Sequence, residues 1–242
     1  MKIAECKVEL IDSMGTDLSV VNAARVSFHK ESFYEFDMDD PFVRYLSNKD
    51  MKLLKYLADH NHHTPFGHCF LSFRIKAPIF IARQLAKHQV GLCWNEVSRR
   101  YVDDEPEFFL PSSWRSRPES SIKQGSGTKE ITHINWELGG GLFHPEIIRD
   151  AVLSWVGNAY HNYKMLLKAG VAPEQARMIL PQNMMTEWIW SGSLLAFMRI
   201  CNLRLDSHTQ KETQDVAKEI AFYLEKEFPE SWGVYKRFNE NI

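Results

Sequence analysis

The sequence predicts a single-domain, helix-rich α+β fold with a small sheet. Helical patterns dominate, and the few strand-like runs do not alternate with helices in the repeating order that a parallel α/β sheet requires. The 242 residues include no segment composed like a linker, and a hydrophobic content of 44% is enough for a sizeable core. Residues 1–242 are therefore expected to form one domain.

The N-terminal third is predicted to hold two strands and two helices. Ile3 to Leu10 alternates in polarity, as a half-buried strand does. Asp17 is a suitable cap for a helix running to Arg25, and Asn48 for one running through Leu57. Cys69 to Ile75 alternates again, so a second strand is expected there.

A third helix is predicted to begin at Pro78, because proline is favoured in the first turn of a helix. On that helix Gln84, Lys87 and His88 would share one face, since residues three and four positions apart are neighbours on a helix surface. Gly91 is a natural place for the helix to end.

The C-terminal half is predicted to be mainly helical after a long loop. Ser116 to Gly141 is rich in Ser, Gly and charged residues, which indicates a mobile surface loop and a candidate lid. Ile147 to Leu167 has the spacing of an amphipathic helix, Pro173 begins another, and a long terminal helix runs from about Thr209 to Phe228. The large aromatic residues of this half are expected mostly in the core, at helical spacings: Trp155, Trp188, Trp190 and Phe197.

Composition argues against several functional classes. The formal net charge of −2 disfavours general binding to nucleic acid or to a membrane surface, which requires a basic excess. No apolar run is long enough to span a membrane, and the charged start MKIAECKVEL is unlike a signal peptide. The 4 cysteines are scattered, which predicts neither disulfides nor a zinc site. The expected location is a reducing cytoplasm, including that of a host cell if the gene is viral.

A group of histidines, at positions 60, 62, 63 and 68, invites comparison with a metal site. Their spacing matches no common zinc pattern, and neither a cysteine nor a carboxylate completes the set within that window. No metal is therefore predicted.

The stretch from Gln84 to Tyr101, QLAKHQVGLCWNEVSRRY, is the most informative part of the chain. It places amides, a Lys, a His, a Glu, a Ser and two adjacent arginines beside an apolar segment. So many polar groups in such a place are costly unless each finds a partner. Their density indicates a site for an anionic ligand.

This stretch resembles the signature of the flavin-dependent thymidylate synthases, which runs Arg-His-Arg, a short apolar spacer, then Asn-Glu-x-Ser-x-Arg-Tyr. The second half is present as Asn95, Glu96, Ser98, Arg100 and Tyr101, whereas Lys87-His88-Gln89 stands in place of Arg-His-Arg and the spacer is one residue longer. The resemblance continues in family order through five more segments: Glu9 to Phe28, His62 to His68, Lys76 to Gln84, Ala176 to Asn183 and Asn202 to Gln214.

The resemblance implies an enzyme that converts dUMP to dTMP by reductive methylation. The implied carbon donor is 5,10-methylenetetrahydrofolate, and NADPH is the implied reductant, acting through bound FAD. The flavin would carry the hydride while the protein supplies binding and electrostatics. A homotetramer whose active sites are built from several subunits is also implied.

The resemblance carries site residues over to matching positions of this chain. Arg204 is the implied catalytic residue, because a fixed guanidinium stabilises the negative charge that develops on the N3–C4–O4 edge of uracil. The implied dUMP-binding set is Gln84, Lys87, Glu96, Ser98, Arg99, Arg100, Arg177 and Arg204. The implied cofactor-binding set is Ser27, His62, Thr64, Lys87, His88, Gln89, Asn95, Glu96, Ser193 and Arg199.

Two departures from the family pattern concern the flavin. Lys87 offers a point charge and Gln89 none, where two arginines would grip phosphate bidentately. Where the family shows Asn-x-Arg after Ser-Gly, this chain has Ser193 and Leu195, and Arg199 lies one turn further on. Arg199 is expected to supply the missing positive charge near the adenine end of the flavin.

Two alternatives stay open at the level of sequence. The first is a related flavin- and folate-dependent change at C5 of a pyrimidine nucleotide, such as hydroxymethylation. The second is a non-catalytic nucleotide-binding module that uses the arginines and aromatic residues, which the near-neutral charge disfavours. No G-x-G-x-x-G follows a strand and no phosphate-binding P-loop occurs, so flavin enters only through the resemblance.

Overall fold

The computed structural model describes residues 1–102, 104–118, 125–139 and 142–239. Its helices α1 to α8 are, in chain order, Asp17–Arg25, Asn48–Asp59, Ile79–Leu85, Ile148–Lys168, Pro173–Ala176, Leu194–Arg204, Lys211–Glu227 and Pro229–Asn239. Its strands β1 to β10 are Lys2–Ile3, Lys7–Met14, Glu35–Phe36, Arg44–Tyr45, Phe70–Pro78, Leu92–Glu96, Glu107–Phe108, His133–Gly139, Leu142–Ile147 and Met185–Ser193. Short 3₁₀ helices lie at Val26–Phe28, Thr64–His68 and Arg177–Ile179.

A four-stranded antiparallel sheet in the order β2-β5-β10-β6 forms the centre of the fold. Its register aligns Phe73 of β5 with Trp190 of β10, and Trp190 with Trp94 of β6. Because side chains alternate along a strand, Trp94 and Glu96 share the face of Trp190, whereas Asn95 lies on the opposite face. The side chains of β6, which carries the signature residues Asn95 and Glu96, therefore lie on two opposite faces of the sheet.

Helices cover the aromatic face of this sheet and form the main core with it. Phe197 of α6 meets Phe73 and Trp190 edge to face, at ring distances of 4.9 and 5.4 Å, and all three side chains are fully buried. Such aromatic contacts add stabilisation to a large buried apolar area. They fix α6, which follows β10 without a loop, in a defined position over the sheet.

The predicted fold class, a single-domain α+β fold with a small sheet, is confirmed. The predicted caps of α1 and α2 are wrong by one residue. Thr16, not Asp17, is the N-cap of α1, and Ser47, not Asn48, caps α2 through its side chain. Asp17 instead accepts hydrogen bonds of 3.1 and 2.9 Å from two backbone N–H groups at the start of α8. Its carboxylate therefore serves a helix that lies far away in the sequence.

The third helix is shorter than predicted, so Gln84, Lys87 and His88 do not share a helix face. α3 ends at Leu85, whose carbonyl accepts the backbone N–H of His88 at 3.0 Å. The chain then turns through Gly91, which has a φ of +76°, to enter β6. A left-handed φ strains other residues, so glycine suits this turn.

The predicted loop from Ser116 to Gly141 is partly a hairpin. β8 occupies its second half and pairs with β9, which corrects the loop expectation there. Residues 119–124 and 140–141 lie outside the described residues, so the mobility of the segment stays a prediction. The terminal helix ends at Glu227, and α8 is a further helix that was not predicted.

Residues 26–45 connect α1 to α2 and carry an unusual amount of exposed apolar surface; we call them the apolar arm. Its end is the β3–β4 hairpin, and at the tip Met38 and Phe42 are 100% and 94% exposed. Phe28 and Phe33 nearer its start are also largely exposed. No helix in the described ranges has both the length and the apolar composition needed to cross a bilayer.

Candidate active site

Arg204, the last residue of α6, is held against the turn that follows α3. Its Nε donates to Nε2 of His88 at 3.0 Å, and an Nη donates to the backbone carbonyl of Gln84 at 3.4 Å. Burial lowers the pKa of Arg204 from its ordinary value. Burial also lowers the pKa of His88, and the charge of Arg204 lowers it further. The guanidinium is therefore fixed in position beside a neutral imidazole.

The side chain of Gln84 is anchored to the start of α7. Its amide nitrogen donates to the side-chain oxygen of Gln210, and its amide oxygen accepts from the hydroxyl of Thr213 at 3.0 Å. Gln84, Arg204 and Gln210 line a cavity of about 560 Å³, together with Asp206. α3, α6 and α7 thus meet at this cavity, which we call the Arg204 cavity.

A second cavity, of about 610 Å³, is lined by Glu96, Arg99 and Arg177; we call it the Arg177 cavity. The carboxylate of Glu96 accepts from the hydroxyl of Thr186 at 2.7 Å and from the indole N–H of Trp94 at 3.2 Å. Arg99 forms an ion pair with Asp104 at 3.0 Å. The half-buried Lys76 forms another with Glu107. Arg177 is exposed, so its guanidinium is accessible to an anion.

Ser98 and Arg100 lie just beyond β6. The Ser98 hydroxyl accepts from the backbone N–H and from Nε of Arg100, at 3.3 and 3.2 Å. The Arg100 guanidinium lies 4.9 Å from the ring centre of Tyr101, and both side chains are exposed. The C-terminal end of the signature therefore exposes a cation and an aromatic ring to solvent.

The predicted flavin residue His62 belongs to a group of aromatic and histidine side chains close to Arg199. Tyr56 stacks on His60 at 4.0 Å and meets His62 edge-on at 5.6 Å. Burial lowers the pKa of the adjacent His63, and the charge of Arg199 lowers it further. The interaction shows that Arg199 lies close to this histidine group, although 136 residues separate it from His63 in the sequence.

Ser193 has a structural partner. Its hydroxyl caps α6 by accepting the backbone N–H of Ala196 at 3.2 Å, and its own N–H donates to the carbonyl of Gly91 at 3.1 Å. Ser193 is buried, so it fixes the start of α6 against the turn before β6. The other predicted cofactor residues Ser27, Thr64, Lys87, Gln89 and Asn95 are exposed or half-buried.

The structure brings some predicted site residues together and separates others. Gln84 and Arg204 line the Arg204 cavity and His88 is hydrogen-bonded to Arg204, whereas Glu96, Arg99 and Arg177 line the Arg177 cavity. The two cavities share no lining residue. Within the described part of the chain, no group of three or more histidine, cysteine or acidic residues is placed to hold a metal ion.

Several residues that shape the site were not predicted: Trp94, Thr186, Gln210 and Thr213. Gln210 lies inside a segment that carried the resemblance, so its position was a usable signal. Thr213 lies in the same segment and carried the same signal, whereas Thr186 had none, because a threonine that orients another side chain has no distinctive sequence pattern.

Comparison with known proteins agrees with the resemblance. The family model described as thymidylate synthase complementing protein matches residues 9–230. A flavin-dependent thymidylate synthase of Thermotoga neapolitana is 35% identical over 96% of this chain and 91% of its own length. One of Thermus thermophilus is 34% identical over 95% of this chain and 75% of its own. The crystal structure of the UMP/dUMP methylase PolB from Streptomyces cacaoi, bound with 5-Br dUMP, superposes with a TM-score of 0.76 at 27% identity, covering 99% of this chain and 98% of that one.

Proposed function

Because the chain belongs to the thymidylate synthase complementing protein family of flavin-dependent thymidylate synthases, which are methyltransferases, we propose that it methylates dUMP at C5 to give dTMP. In this proposal 5,10-methylenetetrahydrofolate supplies the carbon and NADPH supplies the electrons through FAD. The observation that carries the proposal is the Arg204 cavity, where a half-buried guanidinium is held by His88 and by the Gln84 carbonyl.

Arg204 suits the uracil ring because its charge is fixed before any ligand arrives. A preorganised cation in a half-buried site stabilises developing negative charge without first having to reorient. In the proposed pose the guanidinium faces the N3–C4–O4 edge, where charge accumulates during reaction at C5 and C6. Gln84 supports this pose indirectly, since its anchored side chain fixes the backbone carbonyl that Arg204 contacts.

The phosphate of dUMP is assigned to the exposed arginines. Arg100 and Arg177 are accessible, and an arginine side chain can donate two parallel hydrogen bonds to a phosphate. Ser98 and the backbone beside Arg99 would complete the phosphate site. Arg177 lines a different cavity from Arg204, so we assign the phosphate and the uracil to residues of different subunits in a homotetramer.

The chain has suitable groups for FAD near Tyr56 and Arg199. Exposed aromatic rings at positions 56, 60 and 62 offer stacking surfaces, and Arg199 adds a cation beside them. Lys87 is a second exposed cation for the flavin phosphates. When bound, FAD supplies the hydride transfer that amino-acid side chains cannot perform.

The deciding experiment is a product assay by mass spectrometry. The purified protein is incubated with dUMP, 5,10-methylenetetrahydrofolate, FAD and NADPH, and each component is omitted in turn. We expect dTMP only from the complete mixture. A hydroxymethyl product would instead identify the related C5 modification. Protein that stays colourless after reconstitution with FAD and makes neither product would contradict the proposal.

A further inference from the structure

The partners of Arg204 are few and specific. Its Nε donates to His88, and the backbone carbonyl of Gln84 accepts from one Nη. Within the described residues, His88 is the side chain that accepts a hydrogen bond from Arg204. His88 itself is half-buried on the turn after α3, where its backbone N–H is bonded to the Leu85 carbonyl at 3.0 Å.

The chemistry of this pair determines the protonation state of His88. A guanidinium can only donate hydrogen bonds, so Nε2 of His88 must be the acceptor. A neutral imidazole has one acceptor nitrogen, which places the remaining proton on Nδ1. A protonated imidazolium donates from both nitrogens, so protonation would remove the acceptor and set two cations 3.0 Å apart.

We propose that neutral His88 is the positioning residue of Arg204: it holds the guanidinium in its working orientation, and protonation of His88 releases Arg204 and stops turnover in acid. This inference rests on the proposed function for its catalytic consequence. It differs from the family expectation that His88 serves mainly as a flavin contact.

The charges around His88 favour its neutral form. Arg204 of α6 places a positive charge beside the imidazole, and the other cations close to His88 in the sequence are Arg83 of α3 and Lys87. Among the described residues that line the Arg204 cavity, the acidic one is Asp206, whose carboxylate accepts from the backbone N–H of His208 at 2.7 Å and from its ring at 3.0 Å. From α7, Gln210 and Thr213 bring only uncharged groups. The effect of Arg204 on the pKa of His88 is accordingly in the lowering direction.

The first test compares two substitutions that differ only in whether an acceptor remains. In His88→Gln the side-chain oxygen can reach the place of Nε2 and accepts at every pH, whereas His88→Ala has no acceptor. The kcat, the KM for dUMP and the flavin content are measured from pH 5 to pH 8. For the wild type we expect kcat to fall in acid, at a pH below the ordinary histidine pKa of about 6.5, because burial and the charge of Arg204 lower the pKa of His88.

For His88→Gln we expect kcat at neutral pH within about tenfold of wild type. We expect no decrease of kcat in acid from protonation at position 88, because an acceptor that does not titrate replaces the imidazole. For His88→Ala we expect a kcat about 10- to 100-fold lower with flavin content unchanged, as for the loss of a hydrogen bond to a charged group. His144→Gln, at an exposed histidine of β9, is the matched control and should keep the wild-type profile. An acid fall that persists in His88→Gln would overturn the proposal.

The second test needs no turnover and therefore separates this inference from the proposed function. Nitrogen-detected NMR of labelled histidine reports which ring nitrogen carries the proton. We expect His88 protonated on Nδ1 in the ligand-free protein, and a rise in its pKa in Arg204→Ala, because the neighbouring cation is gone. A proton on Nε2, or a His88 pKa unchanged by Arg204→Ala, would refute the pairing. If the wild type makes no dTMP, the proposed function fails, and the NMR result still decides whether His88 pairs with Arg204.

Discussion

Arg204 combines three properties at the residue scale: a permanent charge, a half-buried position and two fixed partners. We therefore expect Arg204→Ala to lower kcat by about 100- to 1,000-fold, the usual effect of losing one preorganised donor. Flavin content, read from visible absorbance, should be unchanged, because the histidine group near Arg199 lies elsewhere. Arg83→Ala, at an exposed arginine of α3, is the control. Near-normal turnover in Arg204→Ala would remove the residue from the chemistry.

Cys93 lies inside the stretch from Gln84 to Tyr101, so its thiol is a candidate nucleophile that can be tested directly. It lies on β6 opposite Ser191, on the face of the strand away from Trp94 and Glu96. Its thiol therefore points away from the carboxylate of Glu96, a member of the implied dUMP-binding set. We expect Cys93→Ser to keep most of the wild-type kcat. We also expect the wild type to form no covalent adduct with 5-fluoro-dUMP in intact-protein mass spectrometry; a stable Cys93 adduct would contradict flavin-based chemistry.

Individual site residues were predictable only where a motif carried them. Arg204 and His88 were both identified, yet their hydrogen bond was not, because 116 residues separate them and no local pattern encodes a contact at that distance. Asn95 and Glu96 were both assigned to the cofactor as neighbours in sequence. Strand alternation places them on opposite faces, which follows from β6 being a strand and was not used in the prediction.

At the scale of elements, Asp50 joins α1, α2 and the apolar arm. Its buried carboxylate accepts from Arg25 of α1 at 2.9 Å, from Ser32 of the arm at 2.8 Å and from Ser47 at 2.7 Å. Burial alone would raise the pKa of Asp50, but these hydrogen bonds and the charge of Arg25 lower it below the ordinary value. The carboxylate therefore contributes stability when it is ionised.

We expect Asp50→Ala to lower the free energy of unfolding by about 3 kcal/mol, because it leaves Arg25 without its partner in a largely buried place. Asp215→Ala, which removes an exposed carboxylate of α7, should cost less than about 1 kcal/mol. Since the folded pKa of Asp50 is lowered, its contribution is complete above about pH 4 and is lost as the pH falls through the folded pKa. Urea unfolding at several pH values measures both effects; equal losses in the two variants would contradict this role.

Helices were easier to predict than strands in this chain. α2, α4 and α7 have long amphipathic patterns, which identify them from local sequence alone. β10 was missed because its tryptophans were taken as helical core residues, although Trp188 and Trp190 alternate with half-buried Glu187 and Ile189 as a strand requires. The pairing partners of β10 lie about one hundred residues earlier, so only the tertiary structure reveals its central position.

At the scale of the whole molecule, the proposed nucleotide ligands are divided between two cavities. Arg177 and Arg204 line different ones, and the apolar arm exposes a hydrophobic surface larger than scattered single residues would give. Both observations support the proposal that subunits assemble and share their active sites. A symmetric oligomer repeats each such shared site once for every subunit.

Shared sites predict that two inactive variants restore each other. Arg177→Ala and Arg204→Ala should each lack activity alone, whereas unfolding and refolding them together should recover activity. Random mixing in equal amounts gives about a quarter of sites with both arginines intact, if one comes from each of two subunits. Analytical ultracentrifugation checks that the mixture assembles like the wild type, and each variant refolded alone is the control. No recovery in correctly assembled mixtures would place both residues in one subunit's site.

The pairing of β6 with β10 also fixes when the site can form during protein synthesis. β6 ends at Glu96, whereas β10 begins at Met185 and Arg204 follows it directly through α6. At about 5–20 residues per second, a ribosome needs roughly 5 to 18 seconds to cover the interval between the two strands. During that time β6 has no partner strand. One edge of the apolar strand β5 also remains unpaired and can associate with other chains. We therefore expect chaperones to bind the nascent chain. The groups proposed for catalysis come together only when most of the polypeptide has left the ribosome.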